Sequence, residues 1–203
     1  MHDTLASLTT FATKHPLMMS ALAILSVFAA LPRGSACFAA EGTGKKILVA
    51  YFSHSGNTRE IATQIHERVG GDIFEIRAVH SYPAEYSECV DVAKREQQND
   101  ERPELAAEVA DMASYDVVFL GYPNWWGTMP MPCFTFLGKY DLSGKTVVPF
   151  CTHEGSRLGR SVGDITRLCP KATVLEGLAV RGSSVKSAQD DVAGWLRKLG
   201  MIR

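Results

Sequence analysis

Six consecutive small or polar residues, Ser53 to Thr58, follow an apolar run that ends at Phe52. Ser53, Ser55 and Thr58 carry hydroxyl groups, and Gly56 allows the backbone to turn tightly before a helix-like pattern begins. Successive amides at the start of a helix point toward a common concavity and favour negative charge. The segment therefore predicts a phosphate site.

These six residues contain no lysine and have neither the Walker nor the GxGxxG spacing, which favours a single terminal phosphate over a triphosphate. His54 would contribute its backbone amide. The residues leave one alternative open, a plain polar turn in which Asn57 or Thr58 caps the following helix.

A second segment, Gly121 to Pro130, is unusually rich in aromatic residues. It reads GYPNWWGTMP, so Tyr122, Trp125 and Trp126 lie close together in sequence. Aromatic groups in a loop suit stacking on a planar ring attached to the phosphate. Adjacent side chains rarely point the same way, so we expect only one tryptophan against a ligand. Packing of both in a core or interface is the alternative.

A third segment, 151–159, reads CTHEGSRLG and offers small and polar groups to the edge of such a ring. These groups belong to Thr152, His153, Glu154, Gly155 and Ser156. A single loop histidine such as His153 is weak evidence for function when it stands alone.

The elements between these segments alternate along the chain. Apolar, β-branched runs predict strands at 47–52, 73–79, 117–121, 146–150 and 173–180, and helical spacing predicts helices at 59–69, 86–98, 130–137, 158–168 and 185–199. This order predicts one α/β domain, a doubly wound open sheet of five parallel strands. Ligands of such sheets bind beyond the carboxyl ends of the strands, so the three segments should converge.

The first segment and its surroundings resemble the flavodoxin family. Its pattern of an aromatic residue, Ser or Thr, Gly, Thr and Ala is matched by Tyr51, Ser53, Gly56, Thr58 and Ala62. The resemblance extends from about Lys45 to the end of the chain and implies a short-chain flavodoxin-like fold with strand order 2-1-3-4-5.

The resemblance also implies FMN as the cofactor. It would place the phosphate at the first segment and the isoalloxazine between the other two. The implied cofactor-binding residues are Ser53, His54, Ser55, Gly56, Asn57, Thr58, Pro123, Asn124, Trp125, Trp126, Gly127, Thr152, His153, Gly155 and Ser156.

The N-terminal residues have a different composition. Residues 17–31 carry no charge, follow Lys14 and lead into small residues, which predicts an export signal over 1–39 and a domain over 40–203. Cleavage would follow Ala36 or Ala39, and a lipid on Cys37 is the alternative. The mature protein would be periplasmic or otherwise extracytoplasmic, so Cys89, Cys133, Cys151 and Cys169 could form a bridge or stay as buried thiols.

Composition limits the partners. The formal net charge is −1, and removal of Asp3, Lys14 and Arg33 with the signal gives −2. This balance offers no basic surface for nucleic acid and weakens the case for an electron carrier, because carriers of this family are typically strongly acidic. No metal site is expected, and membrane association would come only through the signal or a lipid.

We therefore expect an FMN-dependent oxidoreductase that passes electrons from a reduced donor to a quinone-like or other small acceptor. One alternative is a single-electron carrier that docks through an acidic face. The other is a non-catalytic binding module on the same fold. The acidic residues of that face are Glu85, Glu88, Asp91, Asp100 and Glu101. No catalytic acid or base can be named, and the sequence identifies neither donor nor acceptor.

Overall fold

The computed structural model describes residues 44–203. The proposed export signal and Cys37 lie outside these residues. The strands are β1 (Ile47–Tyr51), β2 (Asp72–Glu75), β3 (Val117–Pro123), β4 (Thr146–His153), β5 (Thr173–Val174) and β6 (Leu178–Arg181). The helices are α1 (Asn57–Val69), α2 (Tyr86–Asn99), α3 (Met131–Lys139), α4 (Ser161–Leu168) and α5 (Gln189–Lys198), with 3₁₀ helices at Met112–Ser114 and Gly182–Ser187.

All pairings within the sheet are parallel, in the order β2-β1-β3-β4-β5, and β6 also pairs with β4. The predicted doubly wound flavodoxin-like architecture and its strand order are confirmed. No helix within residues 44–203 is long and apolar enough to cross a membrane.

Each central strand is buried on both faces, which explains its continuous apolar sequence. In β1, Leu48 and Ala50 belong to one core cluster while Ile47, Val49 and Tyr51 belong to the other. The first cluster contains apolar residues of α3 and α4, and the second contains those of α1 and α5. Helices therefore cover both faces of the sheet, as a doubly wound fold requires.

The prediction of one strand over 173–180 is wrong in detail, because the edge is divided into β5 and β6. Val147 pairs with Val174, and Phe150 pairs with Leu178. Between these two pairs, β4 has two residues (148 and 149) whereas the edge has three (175–177). One of those two is Pro149, which has no N–H to donate. The carbonyl of Glu176, inside the break, instead accepts a hydrogen bond from the indole of Trp195 at 3.0 Å.

Two other predicted boundaries need correction. The strand expected at 73–79 is Asp72–Glu75, and only Ala78 of the remainder pairs, in an isolated antiparallel bridge with Leu105. The helix expected from 185 begins at Gln189, because the residues before it form the 3₁₀ helix Gly182–Ser187. Neither change affects the position of the loops that follow β1, β3 and β4.

Gly121 in β3 lies directly beneath the fully buried ring of Phe150. A Cβ atom added at Gly121 would lie 2.2 Å from Cζ of Phe150. We expect Gly121→Ala to lower the free energy of unfolding by about 1–3 kcal/mol through overpacking. Gly138→Ala in α3 is the control, since a Cβ there meets nothing within 4 Å, and it should stabilise by about 0.5–1 kcal/mol. Urea unfolding measures both, and an unaffected Gly121→Ala protein would contradict this packing.

Candidate functional site

The loop after β1 is organised around the hydroxyl of Ser53. Its Oγ accepts hydrogen bonds from the amides of Gly56 at 3.2 Å and Arg59 at 3.3 Å. Gly56 is the residue before α1 and has a left-handed φ of 92°, a conformation that a side chain disfavours. The alternative in which Asn57 or Thr58 caps the helix is therefore wrong, because Gly56 occupies the N-cap position and Ser53 accepts the bonds.

This arrangement leaves two helix amides available. An α-helix supplies no internal partner for its first amides. Ser53 bonds those of Gly56 and Arg59, whereas those of Asn57 and Thr58 have no partner within residues 44–203. Both amides belong to the first turn of a 13-residue helix, where the dipole favours an anion.

A buried hydroxyl pair joins the first loop to the end of β4. The Oγ1 atoms of Thr58 and Thr152 lie 2.8 Å apart, and the two residues are 1% and 4% exposed. The backbone of Thr152 also accepts a hydrogen bond from the amide of Asn124, at 2.8 Å. All three predicted segments therefore meet at Thr152.

Asn124 organises the second loop and connects it to the third. Its Oδ1 accepts from the amide of Gly127 at 3.0 Å, and its Nδ2 donates to the carbonyl of Arg157 at 2.7 Å. The amide of Arg160 donates to the carbonyl of Gly127 at 2.8 Å. The two backbones are so close that a Cβ at Gly159 would lie 2.2 Å from the carbonyl oxygen of Gly127.

Four aromatic rings pack edge-to-face beside this junction. The ring of Trp125 is 5.5 Å from that of Phe52, 5.7 Å from that of His54 and 5.1 Å from that of Tyr82. Phe52 and Tyr82 are themselves 5.6 Å apart. We call Phe52, His54, Tyr82 and Trp125 the aromatic cluster. It holds the first and second loops together, with edge-to-face contacts of the kind that aromatic side chains prefer.

The two adjacent tryptophans point to different neighbours. Trp125 lies in the aromatic cluster, whereas Trp126 is 46% exposed and donates from Nε1 to the carbonyl of Val90 in α2, at 3.2 Å. Trp126 also has a left-handed φ of 51°, unusual for a large side chain. That only one of them contacts a ligand stays a prediction.

The fold agrees with the comparisons to known proteins. A family model described as flavodoxin matches residues 46–199. The chain belongs to the flavodoxin family. No curated protein matches it.

Several solved structures resemble this flavodoxin-family chain. A candidate flavoprotein from Bacteroides eggerthii is 33% identical, with 73% of this chain and 98% of that one covered and a TM-score of 0.62. A candidate flavoprotein from Bacteroides uniformis is 30% identical, with 76% and 99% covered and a TM-score of 0.68. A Lactobacillus acidophilus flavoprotein solved in complex with FMN is 24% identical, with 73% and 99% covered and a TM-score of 0.56, and shares the fold.

In this flavodoxin-family site, His153 has an unsatisfied polar atom. Its Nδ1 is buried without a hydrogen-bond partner within residues 44–203. Burial lowers the pKa of His153, and the charges of Arg157 and Arg181 lower it further. The ring is therefore neutral at neutral pH and can offer Nδ1 to a ligand as donor or acceptor.

The third loop contains Arg157, and Arg160 and Arg181 flank it. Arg160 lies 3.5 Å from Asp164 and Arg181 lies 3.9 Å from Glu154, so these two positive charges have acidic partners. Arg160 donates to the carbonyl of Trp126 at 3.3 Å, and Arg181 donates to the carbonyl of Glu154 at 2.8 Å. The predicted residues Gly155 and Ser156 are exposed between these arginines. This edge of the site is not the acidic surface that we associate with electron carriers.

The four cysteines of the described domain are free and buried. The Sγ of Cys151 donates to the carbonyl of Arg157 at 3.2 Å, and burial raises the pKa of this thiol to about 12. Burial raises the pKa of Cys89, Cys133 and Cys169 as well. The sequence left open a disulfide bridge or buried thiols, and the structure has buried thiols. A protonated thiol is a poor nucleophile. No cluster of metal-ligating side chains occurs within residues 44–203.

Sequence reasoning missed the carboxylate that supports the aromatic cluster. The hydroxyl of Tyr82 donates to Oε2 of Glu96 in α2 at 2.5 Å, and Glu96 is 8% exposed. Its position on the buried side of an amphipathic helix was the available signal. Burial raises the pKa of Glu96, although the bond from Tyr82 opposes this.

This pKa shift predicts a pH-dependent stability. The folded protein holds a proton on Glu96 more tightly than the unfolded chain, so the contribution to stability is full below the ordinary pKa of 4.5 and is lost as pH rises. Glu96→Gln cannot titrate, and the wild type should therefore lose more stability than this variant between pH 4.5 and neutrality. Urea unfolding across this range measures the difference.

Asp91→Asn is the matched control, because it removes a carboxylate from an exposed position of the same helix. A stability difference between wild type and Glu96→Gln that stays constant with pH would contradict the raised pKa of Glu96.

Proposed function

We propose that this protein binds FMN and is an FMN-dependent oxidoreductase that passes electrons from a reduced donor to a quinone-like or other small acceptor. One observation carries the proposal. The two unpartnered amides of α1, the tryptophan loop and the unsatisfied Nδ1 of His153 are gathered at one edge of the sheet. Membership of the flavodoxin family supports this cofactor, and the Lactobacillus acidophilus relative with the same fold was solved in complex with FMN.

The first loop fits the phosphate of FMN. The amides of Asn57 and Thr58, the hydroxyls of Ser55 and Thr58 and the dipole of α1 would hold it with neutral donors. The hydroxyl of Thr58 has the hydroxyl of Thr152 as its one hydrogen-bond partner. Thr152 can donate to Thr58, which leaves the proton of the Thr58 hydroxyl available for a phosphate oxygen. Ser53 would act through the backbone by holding the amides of Gly56 and Arg59 in place.

The second and third loops fit a planar ring. We assign Trp125 to the ring, because it already contacts His54 of the phosphate loop. Asn124 would fix the loop geometry through its bonds to Gly127 and Arg157, and His153 would offer Nδ1 to a polar edge. When bound, the flavin would supply the redox chemistry, while the protein binds, orients and tunes it.

The structure favours an enzyme over a carrier. Three of the five acidic residues considered as a docking face form local bonds or ion pairs. Glu85 caps α2 by accepting from the amide of Glu88, Asp100 pairs with Arg102 at 2.8 Å, and Glu101 lies 3.7 Å from Arg95. The loops themselves are bordered by arginines. The non-catalytic reading is weaker still, because a module without cofactor would have no use for unpartnered helix amides.

We further propose that residues 1–39 direct export, so that FMN would be acquired outside the cytoplasm if the chain is secreted unfolded. A mass spectrum of the protein purified from the periplasm tests this. A chain that begins at residue 37 or 40 supports cleavage, a lipid-sized addition on Cys37 supports the alternative, and an intact N-terminus contradicts both.

Thr58 variants test the cofactor site. Thr58→Ala removes a donor to the phosphate, so we expect FMN binding to weaken by about 1–3 kcal/mol. Thr58→Ser keeps the hydroxyl and should bind nearly as well as the wild type. Flavin fluorescence titration measures the affinities, and far-UV circular dichroism confirms that each variant is folded. Equal affinity in all three proteins would place the phosphate elsewhere.

The oxidoreductase activity is tested with the FMN-loaded protein under anaerobic conditions. The flavin is reduced, excess reductant is removed and 2-methyl-1,4-naphthoquinone is added. We expect the absorption spectrum of the oxidised flavin to return rapidly after a single addition of the quinone. Reduced flavin that reacts only with a redox protein, and not with the small acceptor, would favour the carrier instead.

A further inference from the structure

A cavity of about 300 Å³ separates α2 from the tryptophan loop. We call it the α2 cavity. It is lined by His54, Tyr86, Cys89, Val90, Ala93, Asn124, Trp125 and Trp126. Four of these residues, His54, Asn124, Trp125 and Trp126, also belong to the loops of the proposed flavin site. The cavity is therefore continuous with that site but extends away from it, toward the apolar side of α2.

The lining of the α2 cavity indicates the chemistry of its ligand. Its lining contains no Asp, Glu, Lys or Arg, and the nearby ammonium of Lys94 lies over the ring of Trp126, so the walls themselves favour an uncharged ligand. The volume is at the lower end of the range for small-molecule sites. A dinucleotide is excluded, because its phosphates need cationic or helix-terminal partners and its size exceeds this space. An uncharged, compact ligand fits.

Two exposed aromatic side chains border the cavity. Tyr86 is 81% exposed and Trp126 is 46% exposed, both among the few large apolar side chains exposed on the described domain. Trp126 is also held in a left-handed backbone conformation, with its indole bonded to Val90 and the ammonium of Lys94 5.0 Å from the ring. A strained and exposed tryptophan gains little from core packing, and such strain is concentrated at functional sites.

Two polar groups at the cavity have no hydrogen-bond partner within residues 44–203. They are the imidazole of His54 and the hydroxyl of Tyr86, two solvent-exposed side chains of the lining. Both can donate a hydrogen bond, and carbonyl oxygens at the edge of a planar ring would accept one. Aromatic walls, absence of charge and two donors together describe the complement of an aromatic carbonyl compound.

We propose that the α2 cavity is the acceptor site and binds a small, uncharged quinone of one or two fused rings. This inference rests on the proposed function, because it places the acceptor beside the flavin. Reduction of the quinone to a hydroquinone needs two electrons and two protons. A bound reduced flavin would supply both electrons and, as hydride and through solvent, both protons, and would be left oxidised.

The test measures binding of 2-methyl-1,4-naphthoquinone to the purified protein by isothermal titration calorimetry, with and without FMN. We expect binding in both cases. Tyr86→Ala removes one exposed wall and should weaken quinone binding about three- to tenfold. Ala93→Leu fills the cavity and should weaken it more strongly. Both variants should retain FMN with wild-type affinity.

Val79→Ala is the matched control, since Val79 is an exposed apolar residue outside the cavity lining. It should leave quinone affinity unchanged. Equal quinone affinity in Tyr86→Ala, Ala93→Leu and wild type would overturn the proposal, as would no quinone binding to an FMN-loaded protein. Displacement of the quinone by FMN would also overturn it, because the cavity would then be part of the flavin site. Failure of the wild type to bind FMN would instead contradict the proposed function.

Discussion

The parallel pairing of β1, β3 and β4 is the constraint on which the candidate site depends. Parallel strands end at the same edge of a sheet, so the loops after Tyr51, Pro123 and His153 have to meet. Burial on both faces fixes this register, because a shift by one residue would move each strand's side chains to the opposite core. The site is thus built on the buried centre of the sheet.

Two kinds of contact then turn this meeting of loops into a defined surface. Hydrogen bonds centred on Asn124 and Thr152 fix the backbones relative to one another, while the aromatic cluster fills the space behind the first two loops. Glu96 supports the cluster from α2 through Tyr82. A carboxylate in this buried position is unfavourable unless it is bonded or protonated, which indicates that its role is to hold Tyr82 in one orientation.

Much of this arrangement follows from sequence pattern. The central strands could be predicted because apolar residues dominate them, as in ILVAY of β1 and VVFL of β3, and the polar loop after β1 because its small and polar residues follow that strand directly. The break between β5 and β6 could not, since it depends on Pro149 in a neighbouring strand that is distant in sequence. The bonds of Thr58 to Thr152 and of Tyr82 to Glu96 were also inaccessible, because they join residues that only the tertiary fold brings together.

The α2 cavity gives the edge of the proposed flavin site a second surface of different character. One side of the tryptophan loop meets arginines and polar backbone, and the other meets uncharged aromatic and aliphatic side chains. The proposed ring site and the proposed acceptor site would then share the tryptophan loop. Trp125 and Trp126 both line the cavity, but Trp125 packs in the aromatic cluster and Trp126 bonds to α2.

The central claim is that the three loops form one site for both the phosphate and the ring of FMN. It is tested most directly by titrating the purified protein with FMN and, separately, with riboflavin, which lacks the phosphate. We predict about one FMN per chain, retained after desalting, and markedly weaker binding of riboflavin. No retained flavin, or equal affinity for the two compounds, would contradict the account.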